Sequence, residues 1–597
     1  MKTRVARQAR LLVNDHRSVT RGLLFLVTLL LVCGAASSGA PRTPVSLRSS
    51  QPSPVSGAVV LTAEVPPDPA LLAVQLKLDG HVLDAPDTTR PYEVVWSAAS
   101  AGSGEHTVTA EARYRSGAVI ESAPLRLTVA NPPTFNRILY VDATAGKDGN
   151  DGLTAGTAWR TLERANREAT AGDTVLLRGT FTGQSIQPAA SGTPAKPITF
   201  RSDRGQTAVL NGGSSGVAAR LEGRSYIVLE GLRIQNVPGS AVQLGPDGHH
   251  NVVRGSYLTK SGNARVWGHA IKIEASSDNL LERNQIIDIG DERANSGDSI
   301  YIVTRSHRNR ILNNTVRNGG HSLIGIGSQQ STAMSSDNVI AGNTLSNFYT
   351  TPVILAYGSE RTLVEYNTIS DGARNGINYP RPGIQIASSE TVIRHNEVFN
   401  HAAAGIALLA YVYNATTAQD SIGNRIYHNV FYGNGAYALW ISEKHARTVR
   451  DNLIANNIFF RNGGFPLDGH VYSIGIEHYQ NPTAWPVGSL NGNRLANNIV
   501  LRQPGTAGEP MVLRIRSDAL GGNLTYTLAQ LQATHSEATD NLEADPQFTD
   551  EAKRLFTLRP TSPAANRGLR IPGADQGSAP DIGAFRPAPE RKSSARP

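Results

Sequence analysis

Two groups of residues have the types and spacing that chemistry requires. The first lies between positions 269 and 321 and comprises His269, Lys272, Glu274, Asp298, Tyr301, Arg305 and His321. Proton abstraction beside a carboxylate needs a base, a role open to Tyr301, Lys272 or His321. It also needs a cation, such as Lys272 or Arg305, to offset the enolate charge that develops. Lys272, Glu274, Asp298, Tyr301 and His321 are therefore the catalytic candidates. Glu274 and Asp298 are hard oxygen donors that suit Ca²⁺; equally, one or two coils apart at roughly 5 to 10 Å, they would serve as the acid/base pair of glycoside hydrolysis. The second group is Trp440, Glu443, Lys444, His445, Glu477, His478, Arg514 and Arg516. An indole among charges suits stacking on a sugar ring with polar contacts at its rim, and Glu443, Glu477 and His478 could also form a centre of their own. Arg305, Arg381, Trp440, Glu443, His445, Glu477 and His478 are the substrate-binding candidates. A plainer account stands beside each of these: a charged outward position is usually a solvated face, and turn hydrogen bonding suffices to explain His269, Asp298 and His321 at strand starts.

These residues sit in a repeat. A segment of form N-x-(I/V/L)-x-x-N-x-(I/V/L) starts at 279, 309, 338, 424, 452 and 493, with degenerate copies at 251, 362 and 391. Between the copies lie short apolar alternations such as AIKI at 270, SIYI at 299 and ALWI at 438. Strands this short are stable only when stacked on their equivalents in the next coil. The expectation is an all-β solenoid of about ten or more coils, a parallel β-helix with the right-handed sense that parallel connections take.

Strand alternation then aims Ile271 and Ile273 inward and Lys272 and Glu274 outward. Read coil by coil, the outward ridge is Gln243, Lys272 with Glu274, Tyr301, Ile324, Ile354, Gln385, Ala407, Trp440 and Glu477, then Arg514 with Arg516. The two groups fall about six coils apart, on the order of 30 Å, too far for one catalytic centre. The recurring asparagines, among them Asn284, Asn314, Asn343, Asn367, Asn396, Asn429, Asn457 and Asn498, fall at coil corners. Asn tolerates left-handed dihedrals there, and its amide can bond the next Asn in a ladder, so these residues are structural.

The segment ILYVDATAGKDGNDGLTAGTAWRTLERANREATAGDTVLLRGTFTG (138–183) resembles the first coil of secreted right-handed β-helix proteins of the pectate-lyase-like superfamily. ADPQFTDEAKRLFTLRPTSPAANRGLRIPGADQGSAPDIGAFRP (544–587) resembles their closing segment. The resemblance implies the fold and leaves the activity open among polysaccharide lyases, glycoside hydrolases, uronate epimerases and non-catalytic surface proteins. The Asp-Pro-His motif of mannuronan epimerases is absent, so no catalytic residue is transferred from the family.

Ahead of this body, residues 1–22 carry six Lys or Arg against Asp15, and LLFLVTLLLV (23–32) is followed by GAASSGA (34–40). This is the pattern of an export signal cleaved after Ala40. Alternatives are an uncleaved anchor and a lipoprotein acylated at Cys33. Residues 41–57, rich in Pro and Ser, are expected as linker. Alternating runs from 58 to 131 form a small β-sandwich; LKLDGHVLDAPDTTRPYEVVWSAASAGSGEHTVTAEARYRSG resembles bacterial immunoglobulin-like modules. The solenoid is expected over 137–540, its closing segment over 541–587 and a basic disordered tail over 588–597. The loops 371–383, 411–421 and 479–492 are longer than a coil needs and could wall a groove; Tyr379, Arg381, Tyr411, Tyr413 and Trp485 within them could stack on sugar rings, and packing over a coil edge explains them as well.

The formal charge of +8 and pI near 9.5 invite a polyanion partner. Residues 1–40 hold six of the 57 basic and one of the 49 acidic residues, so cleavage after Ala40 leaves 51 and 48, net +3. The tail from Arg586 accounts for that remainder. The body is neutral, which removes the argument for nucleic acid. A single cysteine excludes a disulfide framework and a cysteine metal site. The sequence reading is a bacterial protein, secreted, periplasmic or at the cell surface. It is expected to be monomeric, with no membrane span once processed, and to act on an extracellular polysaccharide by β-elimination at a uronate. Hydrolysis, epimerisation and binding without catalysis remain the alternatives. No cofactor is required by it, and Ca²⁺ is the one ion it would accommodate.

Overall fold

The computed structural model describes residues 45–584 except 56–57, 69, 84–85, 89, 99–100, 102–103, 116–117, 131–135, 214–215, 263–266, 291–295, 328–332, 349–350, 356–357, 373–381, 415–416, 445–446, 464–471, 480–484, 486–487, 503–510, 518–521, 573 and 576–578. The export signal with Cys33, the residues Tyr379, Arg381 and His445, and the basic tail lie outside the described residues. So do the side chains of Tyr411 and Tyr413.

Residues 45–129 form two antiparallel sheets. One pairs Ser46–Ser49, Ala58–Glu64 and Tyr92–Ser97; the other pairs Leu71–Leu78, His81–Val82, Gly104–Tyr114, Val119–Glu121 and Leu125–Val129. Val59, Leu61 and Trp96 from the first meet Val74, Leu76, Val108 and Ala110 from the second in one buried core. The structure corrects the expected linker over 41–57. Ser46 pairs opposite Glu64, and Val45 and Val55 are buried, so this sheet begins at 45. The Pro and Ser composition around it hides a short strand, which is flanked by two buried valines and packs Leu47 against the core.

From Ile138 the chain winds into a right-handed parallel β-helix of three sheets. The first has fourteen strands, from Ile138–Asp142 to Ala538–Thr539. The second has twelve, from Thr180–Thr182 to Ile499–Leu501, and the third thirteen, from Ala219–Arg220 to Gly522–Thr527. A typical coil runs Leu280–Glu282, Gln285–Ile289, Ile300–Val303, one strand per sheet. Along these orders neighbours run parallel except the last pair of the third sheet, where Gly522–Thr527 turns back against Met511–Ser517. The aligned branched residues of successive coils, such as Val242, Ile271, Ile300, Ile324, Val353 and Ile384, are fully buried and stack as one column of the core. A short helix at either end, Leu162–Glu168 capped by Thr161 and Leu528–Thr534 capped by Thr527, buries leucines at the solenoid's ends. Such elements cover edges that would otherwise pair with other chains.

The asparagines form the ladders the repeat implies. From Asn284 through Asn314, Asn343, Asn367, Asn396, Asn429, Asn457 and Asn498 to Asn541, each amide Nδ2 donates to the next residue's Oδ1 at 2.9–3.0 Å. Every one of them is buried. The expected left-handed dihedral is on the residue before: Arg283, Asn313, Tyr366, His395, His428, Asn456 and Asn497 all have φ between +51° and +57°. The corner is turned by that predecessor, exposed or half-buried except at His428 and Asn456, which frees the Asn to keep ordinary dihedrals and point its amide into the coil.

Candidate functional site

The third sheet places the first group. Its register sets Gln243 opposite Lys272, Lys272 opposite Tyr301 and Tyr301 opposite Gly325. Lys272 and Tyr301 are half-buried on the outward face while Ile271, Ile273, Ile300 and Ile302 fill the core. Ile324, expected on the ridge, is fully buried opposite Ile300, and Gly325 takes the outward place. In SLIGIG (322–327) glycines and isoleucines alternate, so a one-residue shift in reading exchanges the two faces. The bare position has a use. A Cβ at 325 would lie 3.4 Å from the Tyr301 ring and 3.1 Å from the Ser322 hydroxyl, so Gly325 leaves room for the ring edge.

Asp298, in the turn before Ile300–Val303, is the hub. Its carboxyl is almost wholly buried. Oδ1 accepts from His321 Nδ1 at 2.6 Å, from the Ser322 amide at 3.1 Å and from the Ser322 hydroxyl, and Oδ2 accepts from the Trp267 indole at 3.4 Å. Burial by itself raises such a carboxyl. The His321 hydrogen bond and charge, the charge of His269 and the Ser322 hydroxyl outweigh it and hold Asp298 below the usual carboxylate range. Asp298 is therefore ionised at neutral pH. A carboxylate accepts at His321 Nδ1, so the proton of the neutral ring is on Nδ1 and Nε2 is left as the basic nitrogen. His321 retains 26% of its side-chain exposure, with Trp267, 52% exposed, set edge-on to it at 5.2 Å.

His269 lies on the other side of Asp298. Its Nδ1 donates to the Asp298 carbonyl at 3.1 Å and is 3.9 Å from Oδ2. Burial, opposed by the Asp298 charge, lowers it below the ordinary histidine range, so it is neutral near pH 7. The Tyr301 ring stacks on its imidazole at 4.9 Å with an interplanar angle of 23°. Tyr301 thus leans toward the same end of the sheet as Asp298 and His321. These residues and Lys272 come from three successive coils.

Other candidates do not join them. Glu274 is opposite Val303, and Asp298 precedes Val303 by five residues, in the turn before the strand. The two carboxylates have separate partners: Glu274 is held by Lys272 at 2.6 Å, and Asp298's oxygens accept from His321, Ser322 and Trp267. Among the described residues no three His, Cys, Asp or Glu side chains are grouped to hold a metal ion. Arg305 is exposed at the corner beyond the far end of Ile300–Val303, away from Asp298.

In the second group, Trp440 and Glu477 are partly exposed on the outward face. Glu443 and His478 point inward and are each 2% exposed, which contradicts their reading as substrate contacts. His478 Nδ1 is 3.1 Å from Glu443 Oε2, Glu443 Oε1 accepts from the Val449 amide at 2.7 Å, and Trp485 packs edge-on against His478 at 4.7 Å. Trp485 is thus a packing residue, and the pair anchors the chain where it leaves the sheet. Trp267, in a loop before its strand, carries no repeat signal, and only its neighbour His269 marks the spot in sequence. Among the described residues, no helix is long and apolar enough to cross a membrane.

Comparison with known proteins agrees with the coils described above. The model of the right-handed beta helix region matches residues 209–343 and 295–422. An uncharacterised protein of Bacillus subtilis (strain 168), YwoF, is 25% identical over 475 residues, covering 73% of this chain and 94% of that protein. Among solved structures, the pectate lyase Pel9A is similar at 15% identity and a TM-score of 0.43, covering 76% of this chain and 96% of that one. A family GH136 lacto-N-biosidase from Eubacterium ramulus is similar at 15% identity and a TM-score of 0.36, covering 64% of this chain and 68% of that one.

Proposed function

We propose that this chain is an exported, carbohydrate-active β-helix enzyme that cleaves a uronate-containing polysaccharide by β-elimination at the Asp298–His321 site. The observation that carries the reading is the ionised, buried Asp298 fixed to His321 Nδ1, with Tyr301 and Lys272 on the same three coils. His321 Nε2 takes the C5 proton of the uronate, and the electron pair released forms the C4–C5 double bond as the C4–O bond breaks. The Tyr301 hydroxyl returns a proton to the leaving oxygen, and Lys272 faces the uronate carboxylate, where enolate charge develops. Trp267 offers an exposed indole on which the sugar ring stacks. Hydrolysis by two carboxylates is disfavoured by the separate partners that hold Glu274 and Asp298. The reading needs no metal.

Export rests on residues 1–40, and with it a location outside the cytoplasm of a bacterium, as a monomer. One observation favours binding without catalysis: Lys272 is neutralised by Glu274 at 2.6 Å. A panel of acidic and neutral glycans, incubated with wild type and His321→Ala and followed by reducing-end assay, separates the two. Release of reducing ends by the wild type alone supports the enzyme. Retention of a glycan with no release by either protein leaves the binding role.

A further inference from the structure

The register of the third sheet carries a second site. Tyr301, Gly325, Ile354, Gln385, Ala407 and Trp440 are successive partners in one outward row, so Trp440 lies five strand steps, about 24 Å, from Tyr301. Between the two aromatic residues the row holds Gly325, Ile354, Gln385 and Ala407, of which Ile354 and Gln385 are half-buried and Gly325 and Ala407 buried.

At the far end the row continues from Trp440 to Gly475 and Arg514. A Cβ at 475 would lie 2.4 to 2.7 Å from the Tyr437 ring, so glycine is what lets that ring occupy the row. Tyr437 is 4% exposed, and its hydroxyl is 3.3 Å from an Arg514 guanidinium nitrogen. Burial raises the Tyr437 phenol, against the Arg514 hydrogen bond, so it stays protonated. Arg514 is in turn 3.9 Å from Glu477, whose register partner Arg516 is exposed. Trp440 packs beside Tyr437 and Tyr472, and its buried indole N–H has no hydrogen-bond partner among the described residues.

We propose that Trp440, Glu477 and Arg516 form a remote anchoring subsite for a second pyranose unit of the same acidic polysaccharide. The inference rests on the reading of the Asp298–His321 site as the place of cleavage. The apolar ring face of the sugar lies on Trp440, its hydroxyls donate to Glu477, and its carboxylate meets Arg516. One chain bridging the row is held at both ends, so the protein favours polymers over short oligosaccharides.

The test measures binding in a His321→Ala background, so no turnover is required. Polygalacturonate and alginate are the polymer probes, by affinity electrophoresis, and their disaccharides are the short probes, by calorimetric titration. Trp440→Ala is expected to raise the Kd for the polymer about tenfold and so abolish the polymer's advantage over the disaccharide. Glu477→Gln, nearly isosteric and on the surface, is expected to act in the same direction and guards against a Trp440→Ala that fails to fold. Polymer Kd values within about twofold of the parent for both variants would overturn the subsite, whatever the wild type does to the glycan. Polymer binding that depends on Trp440 in a protein without cleavage would uphold it and overturn only the catalytic reading.

Discussion

His321 Nδ1 and Asp298 Oδ1 are 2.6 Å apart, and the carboxylate is buried where it can do little other than hold and orient that ring. Asp298→Asn keeps the shape but presents an amide, which no longer selects the tautomer with Nε2 basic. The expected outcome is a fall in kcat of about 10²- to 10⁴-fold with a much smaller change in KM. Steady-state kinetics on a cleaved glycan check this, with circular dichroism to confirm the fold. A kcat within a few-fold of wild type would remove the dyad from the mechanism.

Lys272 and Glu274 form a partly exposed pair, worth at most about 1 kcal/mol to stability. Their effect is expected on substrate. Glu274→Gln releases the ammonium and lowers KM for a uronate substrate several-fold, while Lys272→Ala raises KM and lowers kcat. Both variants should melt close to wild type. Equal and opposite KM shifts, read alongside thermal melts, distinguish this from a structural role.

Asn367 joins the longest ladder from both sides. It accepts from the Asn343 amides at 2.9 and 3.0 Å, and it donates to the Ile340 carbonyl and to Asn396 at 2.9 Å. Asn367→Ala orphans several buried groups at once, at about 1 to 3 kcal/mol for each. A loss of about 3 kcal/mol or more in urea unfolding is expected. A loss below about 1 kcal/mol would mean that water or backbone shifts replace the ladder.

His395 stacks between Tyr366 at 4.9 Å and His428 at 5.3 Å, and His428 reaches Asp575 in the closing segment at 3.1 Å. Burial, then the charges of His428 and Arg394, push His395 down to about 3 from its ordinary 6.5. The folded protein therefore stays unprotonated there while the unfolded chain takes a proton. The stability is present above about pH 6.5 and is lost as pH falls toward 3, at up to about 1.4 kcal/mol per pH unit. His395→Phe keeps a ring in the stack and is expected to flatten that slope, measured as the urea midpoint between pH 7 and pH 4. An unchanged slope would place the acid sensitivity elsewhere.

The solenoid was legible because its signals are local and repeated. Asn284 and its equivalents recur at nearly one spacing, and Ile271 and Ile273 alternate with Lys272 and Glu274. The site was legible in part. His321 bonds Asp298 and Tyr301 stacks on His269 beside it, while Lys272, one coil before Tyr301, is held by Glu274. Position along a strand is not visible in composition, and it decided against Glu274, aligned with Val303, and against Arg305 beyond the strand's end. Glu443 and His478 read as outward charges because the sequence does not reveal that they pair with each other inside the coil. The first strand of the sandwich, Ser46–Ser49, was hidden by its serines and the prolines around it, and Trp267 by its place in a loop.

The central claim is elimination at His321, and the most direct measurement is the ratio of new double bonds to new reducing ends during cleavage of a uronate polymer. The account predicts one absorbing unsaturated uronate for each reducing end with the wild type, and neither with His321→Ala. Reducing ends formed without unsaturation, or unsaturated product at undiminished rate from His321→Ala, would contradict it.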